Sequence, residues 1–430
     1  MTTTATDATA PAKSHYVVLD GLRGVAALMV VVFHLFEAWS GGDPEKQIIN
    51  HGYLAVDFFF LLSGFVVAYA YDDRWGSGMS PWDFYKRRLV RLQPMIIVGG
   101  LIGAALLAFQ HGSLFPKLDG VTTWQVLGVL LLSFVMIPMT PSAEIRGWGE
   151  IYPLNGPQWS LFYEYIANIL YAVGLRKLPV RWLGALVAAS AVALLGLLVL
   201  GPRGDVIGGW ALDATGVQIG LTRVMFPFFA GVLLMRLGKR IKVRNAFAVC
   251  SLLLVAALSL PRFGIEERRW INGLYEAACV IVLFPLIVAI GAGEKDVAKE
   301  DWGPSVRIAR FFGDLSYPLY ITHYPLIYIY TTWVVDQKPP VIEGALVALG
   351  VFVVAVTIAW TCLKLYDEPV RRRLAGKYLS KPARNVAERD YDALRTMLLI
   401  RTLTIPVIPE FDLAQISGPP CAPASPPRSA

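Results

Sequence analysis

The chain has 430 residues, 55% of them hydrophobic and only 17% charged, and a net charge of +7. Soluble domains average about 25% charged residues, so a water-soluble enzyme is excluded and an all-α polytopic membrane protein is expected. The positive charge does not mark a nucleic-acid binder, because Lys and Arg gather in short loops between apolar runs, as membrane topology requires.

Residues 1–15 are rich in Thr and Ala and are expected to be a disordered N-terminal tail. The first apolar run, 17–39, is too long and too ionic for a signal peptide and should be kept as the first spanning helix. It contains Arg23 and His34, both costly inside a bilayer, so their presence suggests a function. Eleven positions at ~100° each put them only ~20° apart around the helix, and Asp20 and Glu37 fall in the same stripe. His34 lies ~16 Å further along the helix than Arg23, near mid-membrane. As an imidazole, His34 suits a general base, with Glu37 three positions on to orient it. The alternative is a packing histidine, with Arg23 reaching back to the headgroups.

The second run, 53–71, carries Asp57 and, two turns later, Gly64, which permits close helix approach. Asp57 either pairs with Arg23 or His34 or serves as a structural acceptor. A basic segment follows, Phe84-Tyr-Lys86-Arg87-Arg88-Leu-Val-Arg91. Arg88 and Arg91 share one face at a helix start, where guanidinium forks and the helix dipole suit phosphate oxygens. Ordinary cytoplasmic anchoring is the alternative.

Further runs lie at 92–110, 121–139, 158–175, 182–200, 218–236, 245–260, 271–291, 312–334 and 341–366. If every basic loop is cytoplasmic, an even number of crossings must separate each pair. Three runs separate the loops at 86–91 and 176–181, so one does not cross. The 121–139 run carries Gln125 and leads into Pro138, Pro141, Pro153 and Pro157, so it is read as re-entrant or interfacial. That gives about ten transmembrane helices with both termini cytoplasmic.

Trp159 and Glu164 open the 158–175 run; a tryptophan face and a carboxylate suit sugar binding, although Trp159 also fits an interfacial belt. In the 312–334 run, His323 is a second intramembrane imidazole, and Tyr320 three positions earlier shares its face. Tyr366-Asp-Glu368-Pro-Val-Arg371-Arg-Arg373 closes the membrane body, placed at 16–375. Residues 376–430 are expected to be a cytoplasmic tail, largely disordered at its end. The four cysteines have neither disulfide nor zinc spacing, so no metal is expected. Two function classes fit these residues: an enzyme using His34 as base, or a proton-coupled transporter or flippase. The carrier is disfavoured by the lack of an inverted repeat and leaves Arg88 and Arg91 without a specific role.

The ordered motifs decide between them. Leu19-Asp-Gly-Leu-Arg23-Gly with His34, Val56-Asp-Phe-Phe-Phe-Leu-Leu-Ser-Gly-Phe65, Phe84-Tyr-Lys-Arg-Arg-Leu-Val-Arg91-Leu-Gln-Pro94, Trp159-Ser-Leu-Phe-Tyr-Glu164, Ser316-Tyr-Pro-Leu-Tyr320-Ile-Thr-His323 and Glu368-Pro-Val-Arg371 together resemble the acyltransferase-3 family of integral-membrane O-acyltransferases. The resemblance implies ten spans and transfer of an acyl group, most often acetyl, from cytoplasmic acyl-CoA as co-substrate to a hydroxyl of a carbohydrate or glycosylated acceptor. No permanently bound cofactor is implied, and the setting is a bacterial inner membrane. The family's first-span Arg and His match Arg23 and His34, and its Arg-x-x-Arg, associated with acyl-CoA, matches Arg88 and Arg91. On this basis His34, Glu37 and Asp57 are the expected catalytic residues, and Arg23, Arg88 and Arg91 the expected acyl-CoA ligands. Trp159, Glu164, Tyr320 and His323 are expected to shape the acceptor side. Gln93 stands where some relatives have Tyr. Some members add a C-terminal esterase-like domain, and the short stretch after Ala375 implies a stand-alone transferase.

Overall fold

In chain order the helices are α1 (Val17–Ser40), α2 (Ala55–Tyr71), α3 (Pro81–Leu106), α4 (Thr123–Phe134), α5 (Gln158–Val173), α6 (Val180–Leu200) and α7 (Ala214–Leu237). They continue with α8 (Ala246–Ser259), α9 (Trp270–Ala277), α10 (Phe284–Gly291), α11 (Pro304–Thr322), α12 (Tyr324–Gln337), α13 (Val341–Cys362) and α14 (Glu368–Tyr378). The computed structural model describes residues 16–264, 266–293 and 303–379. The N-terminal tail expected at 1–15 lies outside the described residues; of the tail expected at 376–430, residues 376–378 finish α14 and 380–430 lie outside the described residues. Among the described residues the β pairing is confined to an isolated bridge between Glu150 and Ala211.

Local chemistry explains the helix ends. Gly41, at φ 63°, turns the chain out of α1 in the left-handed conformation. Ser80 caps α3: its hydroxyl accepts from the Asp83 amide at 3.1 Å, and the Asp83 carboxylate accepts from the Ser80 amide at 3.3 Å. Pro81 takes the first helical position, where no donor is needed. π-Helical stretches at Ala278–Leu283 and Leu363–Asp367 join α9 to α10 and α13 to α14.

Among the described residues seven helical stretches are long and apolar enough to cross a membrane: Val17–Ser40, Gly52–Ser77, Pro81–Phe109, Val180–Leu200, Ala214–Leu237, Trp270–Gly291 and Val341–Tyr378. The chain is therefore a multi-pass integral membrane protein, and α6 and α13 turn Val192, Leu200, Ile342 and Leu346 outward as a surface suited to lipid. The remaining apolar runs are shorter or broken. The 121–139 run forms α4, whose 12 residues reach ~18 Å against a hydrocarbon core of ~30 Å.

The 312–334 run is not one helix. It breaks at His323, between α11 and α12. Pro325 has no amide hydrogen to give to the Ile321 carbonyl one turn back, and Asn155 Nδ2 donates to that carbonyl instead, at 2.8 Å. Gln110 Nε2 donates to the Pro325 carbonyl at 3.1 Å, fixing the other side of the break.

Two helix pairs form the frame. α1 lies along α11 with Gly24 pressed on Phe312, where an added Cβ would come within 2.3 Å of backbone. α2 lies along α7 with Gly64 on the Phe228 carbonyl, where a Cβ would stand 1.8 Å away. Neither position admits a side chain, so backbone contact through small residues sets both interhelical distances.

Candidate active site

α1 carries both ends of the site. Near its N-terminus Arg23 Nε donates to Ser316 Oγ at 2.8 Å, and Nη2 lies 3.3 Å from Asp20 Oδ1. Eleven residues on, His34 Nδ1 lies 2.6 Å from Glu37 Oε2. A carboxylate only accepts, so Nδ1 carries a proton, and in the neutral ring the lone pair lies on Nε2. Tyr324 meets the His34 ring edge-on at 4.7 Å, and His323 stacks on it at 5.7 Å. His323 is itself buried, with Nδ1 donating to the Leu319 carbonyl at 3.0 Å.

These groups face two cavities. One, of about 130 Å³, is lined by Arg23, Ser63, Arg88, Arg91, Glu164 and Tyr317. The other, of about 410 Å³, is lined by His34, Glu37, Glu150, Arg223, Tyr324 and the indoles of Trp148, Trp159 and Trp210. Val56 and Tyr320 line both.

Of the ten site residues expected from sequence, eight line one of these cavities or both, and Asp57 and His323 line neither. His34 and Glu37 are paired, as their spacing suggested. Arg23, Arg88 and Arg91 share the smaller cavity. Arg91 lies 5.9 Å from the Tyr317 ring centre, while Arg88 Nη2 is ion-paired to Glu164 Oε1 at 2.5 Å. Glu164 was expected on the acceptor side with Trp159. The structure puts it in the arginine-lined cavity, where Ser63 Oγ also donates to it at 2.6 Å. Trp159 and Glu164 are five positions apart, a rise of ~7.5 Å, enough for one helix to serve both cavities. His323 lines neither cavity and instead backs the His34 ring.

Asp57 departs most from expectation. It touches neither His34 nor Arg23; its carboxylate is gripped by Arg223 of α7, Nε to Oδ1 at 3.2 Å and Nη2 to Oδ2 at 2.6 Å. Arg223 also donates to the carbonyls of Tyr53, Val206 and Gly208 and lies 5.2 Å from the Trp159 ring centre. Arg223 was not singled out from sequence, although a cation inside the 218–236 run, well before Arg236 at its end, is the kind of signal that picked out Arg23.

Sequence reading also passed over Arg146 and Glu150. Arg146 is buried, 3.5 Å from the Tyr328 ring centre and 4.5 Å from that of Phe115. Glu150 Oε2 accepts from the Tyr328 hydroxyl at 2.6 Å and lies 3.5 Å from Arg146 Nε. Burial lifts the Glu150 carboxyl to about 7, against the opposing pull of Arg146. A carboxyl whose pKa is raised on folding adds stability that is full below its unfolded pKa of 4.5 and is lost as pH climbs through about 7. Glu150→Gln should therefore flatten the decline in thermal midpoint over that window. An unchanged slope would show that Glu150 titrates normally.

The acyltransferase-3 family profile, described as an acyltransferase domain, matches residues 16–364. Among curated proteins, "Protein 2 in picA locus" of Rhizobium radiobacter is 32% identical over 186 residues, 42% of this chain and 93% of that protein. "Acyltransferase MdmB" of Streptomyces mycarofaciens is 28% identical over 323 residues, 72% of this chain and 78% of that protein. A "Putative O-acetyltransferase" of Staphylococcus aureus (strain COL) is 24% identical over 350 residues, and there the match spans 52% of the relative's length. No solved structure matches.

Proposed function

The chain belongs to the acyltransferase-3 family and is an acyl-transferring enzyme, and on that premise we propose that it moves an acetyl group from acetyl-CoA to a hydroxyl of a carbohydrate or glycosylated acceptor. The observation that carries this reading is the meeting of two unlike cavities at Tyr320: arginines on one side, a His–Glu pair among indoles on the other. Arg23, Arg88 and Arg91 hold CoA phosphates, with Arg88 exchanging Glu164 for the ligand. The acyl thioester reaches past Tyr320 towards His34.

His34 Nε2 takes the acceptor's hydroxyl proton, and the oxygen attacks the acyl carbon. The C–S bond breaks, and the imidazolium returns the proton to the departing sulfur. Glu37 holds the ring and stabilises its charge. Trp148, Trp159 and Trp210 offer stacking faces, and Glu150 accepts from a second hydroxyl of the acceptor. The arginine-lined cavity faces the cytoplasm of a bacterial inner-membrane protein with ten spans and cytoplasmic termini. The rival carrier reading can use the His34–Glu37 pair to relay protons but gives the three arginines no anionic ligand.

The test is binding of labelled acetyl-CoA to purified protein in nanodiscs, joined to mass spectrometry of surface glycans and secreted glycosides with and without the protein. Charge-assisted contacts contribute ~1.5–3 kcal/mol, so Arg91→Ala should weaken acetyl-CoA binding about 10–100-fold. Unchanged affinity would place the donor elsewhere. Uptake of a glycoside into proteoliposomes without any acylation would favour the carrier.

A further inference from the structure

Tyr320 and Val56 stand between the arginine-lined cavity and the cavity of His34. Val56 and Tyr320 are the two residues the cavities share, so the wall between them is one side chain thick. Tyr320 is 6% exposed and held from two directions. Its ring meets Phe59 edge-on at 5.3 Å. Its hydroxyl lies 2.7 Å from Ser160 Oγ and 3.3 Å from the Pro157 carbonyl. Ser160 Oγ donates to that same carbonyl at 3.1 Å, which leaves its lone pairs free to accept from Tyr320. The latch thus ties α11 to the first turn of α5.

The chemistry gives this wall a purpose. The larger cavity holds a base with a free lone pair and has room for water. A thioester exposed there would be hydrolysed: His34 would take a proton from water, the water oxygen would bond to the acyl carbon, and the C–S bond would break. The proton would pass to sulfur, leaving a carboxylic acid and free CoA thiol. Enzymes that handle reactive acyl groups gain by excluding water until the proper acceptor is seated.

We propose that Tyr320, latched to Ser160, is the partition that shields the thioester from water activated by His34, and that it swings aside when the acceptor fills the His34 cavity. Tyr320 thereby sets the ratio of transfer to hydrolysis. This rests on the acetyl-CoA assignment made above.

The experiment measures release of free CoA thiol and labelled acetate from acetyl-CoA by purified protein in nanodiscs, with no acceptor present, alongside acetyl-CoA affinity. Tyr320→Phe keeps the ring and loses the latch; Ser160→Ala loses it from the other side. Each should raise hydrolysis several-fold, up to about tenfold, the population shift expected from one lost hydrogen bond. Tyr320→Ala, which opens the wall, should raise it further, and adding His34→Ala should return it to the parent rate. The two latch variants keep the test decisive if Tyr320→Ala folds poorly.

Parent-like hydrolysis in all three variants, with acetyl-CoA affinity intact, overturns the partition and leaves the transferase reading standing. So does a rise that survives loss of His34. Failure of the parent protein to bind acetyl-CoA instead overturns the donor assignment, and the partition with it.

Discussion

Replacing His34 with alanine should lower acyl transfer by purified protein at least ~100-fold, while acetyl-CoA binding and thermal midpoint should stay near those of the parent. General-base action contributes ~10²–10⁴ in rate. His34 is the imidazole that lines the larger cavity, with Nδ1 held by Glu37. Its removal leaves the arginines of the other cavity untouched, so under the proposed donor assignment acetyl-CoA binding is the internal control. Glu37→Gln keeps an acceptor oxygen for Nδ1–H but loses the charge that steadies the imidazolium, so its loss should be smaller. Glu37→Ala frees the ring to rotate and should cost more than Glu37→Gln. Near-normal transfer by His34→Ala would remove His34 as the base, and His323, backing the same ring, would be the next candidate to examine.

The His34–Glu37 pair was legible because helical periodicity is local: three residues is less than one turn, and the two side chains had to meet or nearly so. The Arg23–His34 stripe was legible too, with Arg23 grouped with Arg88 and Arg91 and His34 set deeper. The ~20° angle put both on one face, and the ~16 Å rise then delivered them to different cavities. Glu164 was misplaced, because a residue's side of the membrane says little about which of two stacked cavities it enters.

Partnerships made by the fold were hidden. Asp57 and Arg223 are 166 positions apart, and nothing in either apolar run names the other. Arg146 and Glu150 belong to a polar, proline-flanked loop where charge has no visible cost; only the fold buries them against Phe115, Tyr328 and the His34 cavity. Pro318 and Pro325 were plain in the 312–334 run, but counting crossings by charge treats such a run as one span. The break becomes intelligible once Asn155, from a different segment, is seen to satisfy the stranded Ile321 carbonyl.

The second large effect follows from that hidden ion pair. Asp57→Ala leaves the Arg223 guanidinium buried among the carbonyls of Tyr53, Val206 and Gly208 with no counter-charge. Arg223→Ala leaves Asp57, 0% exposed, in the same position. Removing one partner of a buried pair costs ~3–5 kcal/mol, so each single variant should show a sharply lower thermal midpoint or fail to accumulate. Replacing both with apolar residues of similar volume, Asp57→Leu with Arg223→Met, should recover much of the loss, since the desolvation cost of both charges disappears together. Asp57→Asn keeps the shape and one acceptor oxygen and should be the mildest change. The pair also fixes the Tyr53 carbonyl and the 206–208 segment, and Tyr53 and Ile207 wall the His34 cavity. Surviving variants should therefore show a raised KM for the acceptor, with acetyl-CoA affinity unchanged. The decisive comparison is Asp57→Asn. If it keeps the parent's thermal midpoint yet loses transfer ~100-fold, Asp57 acts on the reaction itself and the ion pair is secondary. If stability and acceptor KM move together, as the geometry requires, Asp57 holds the acceptor wall and His34 works with Glu37 alone.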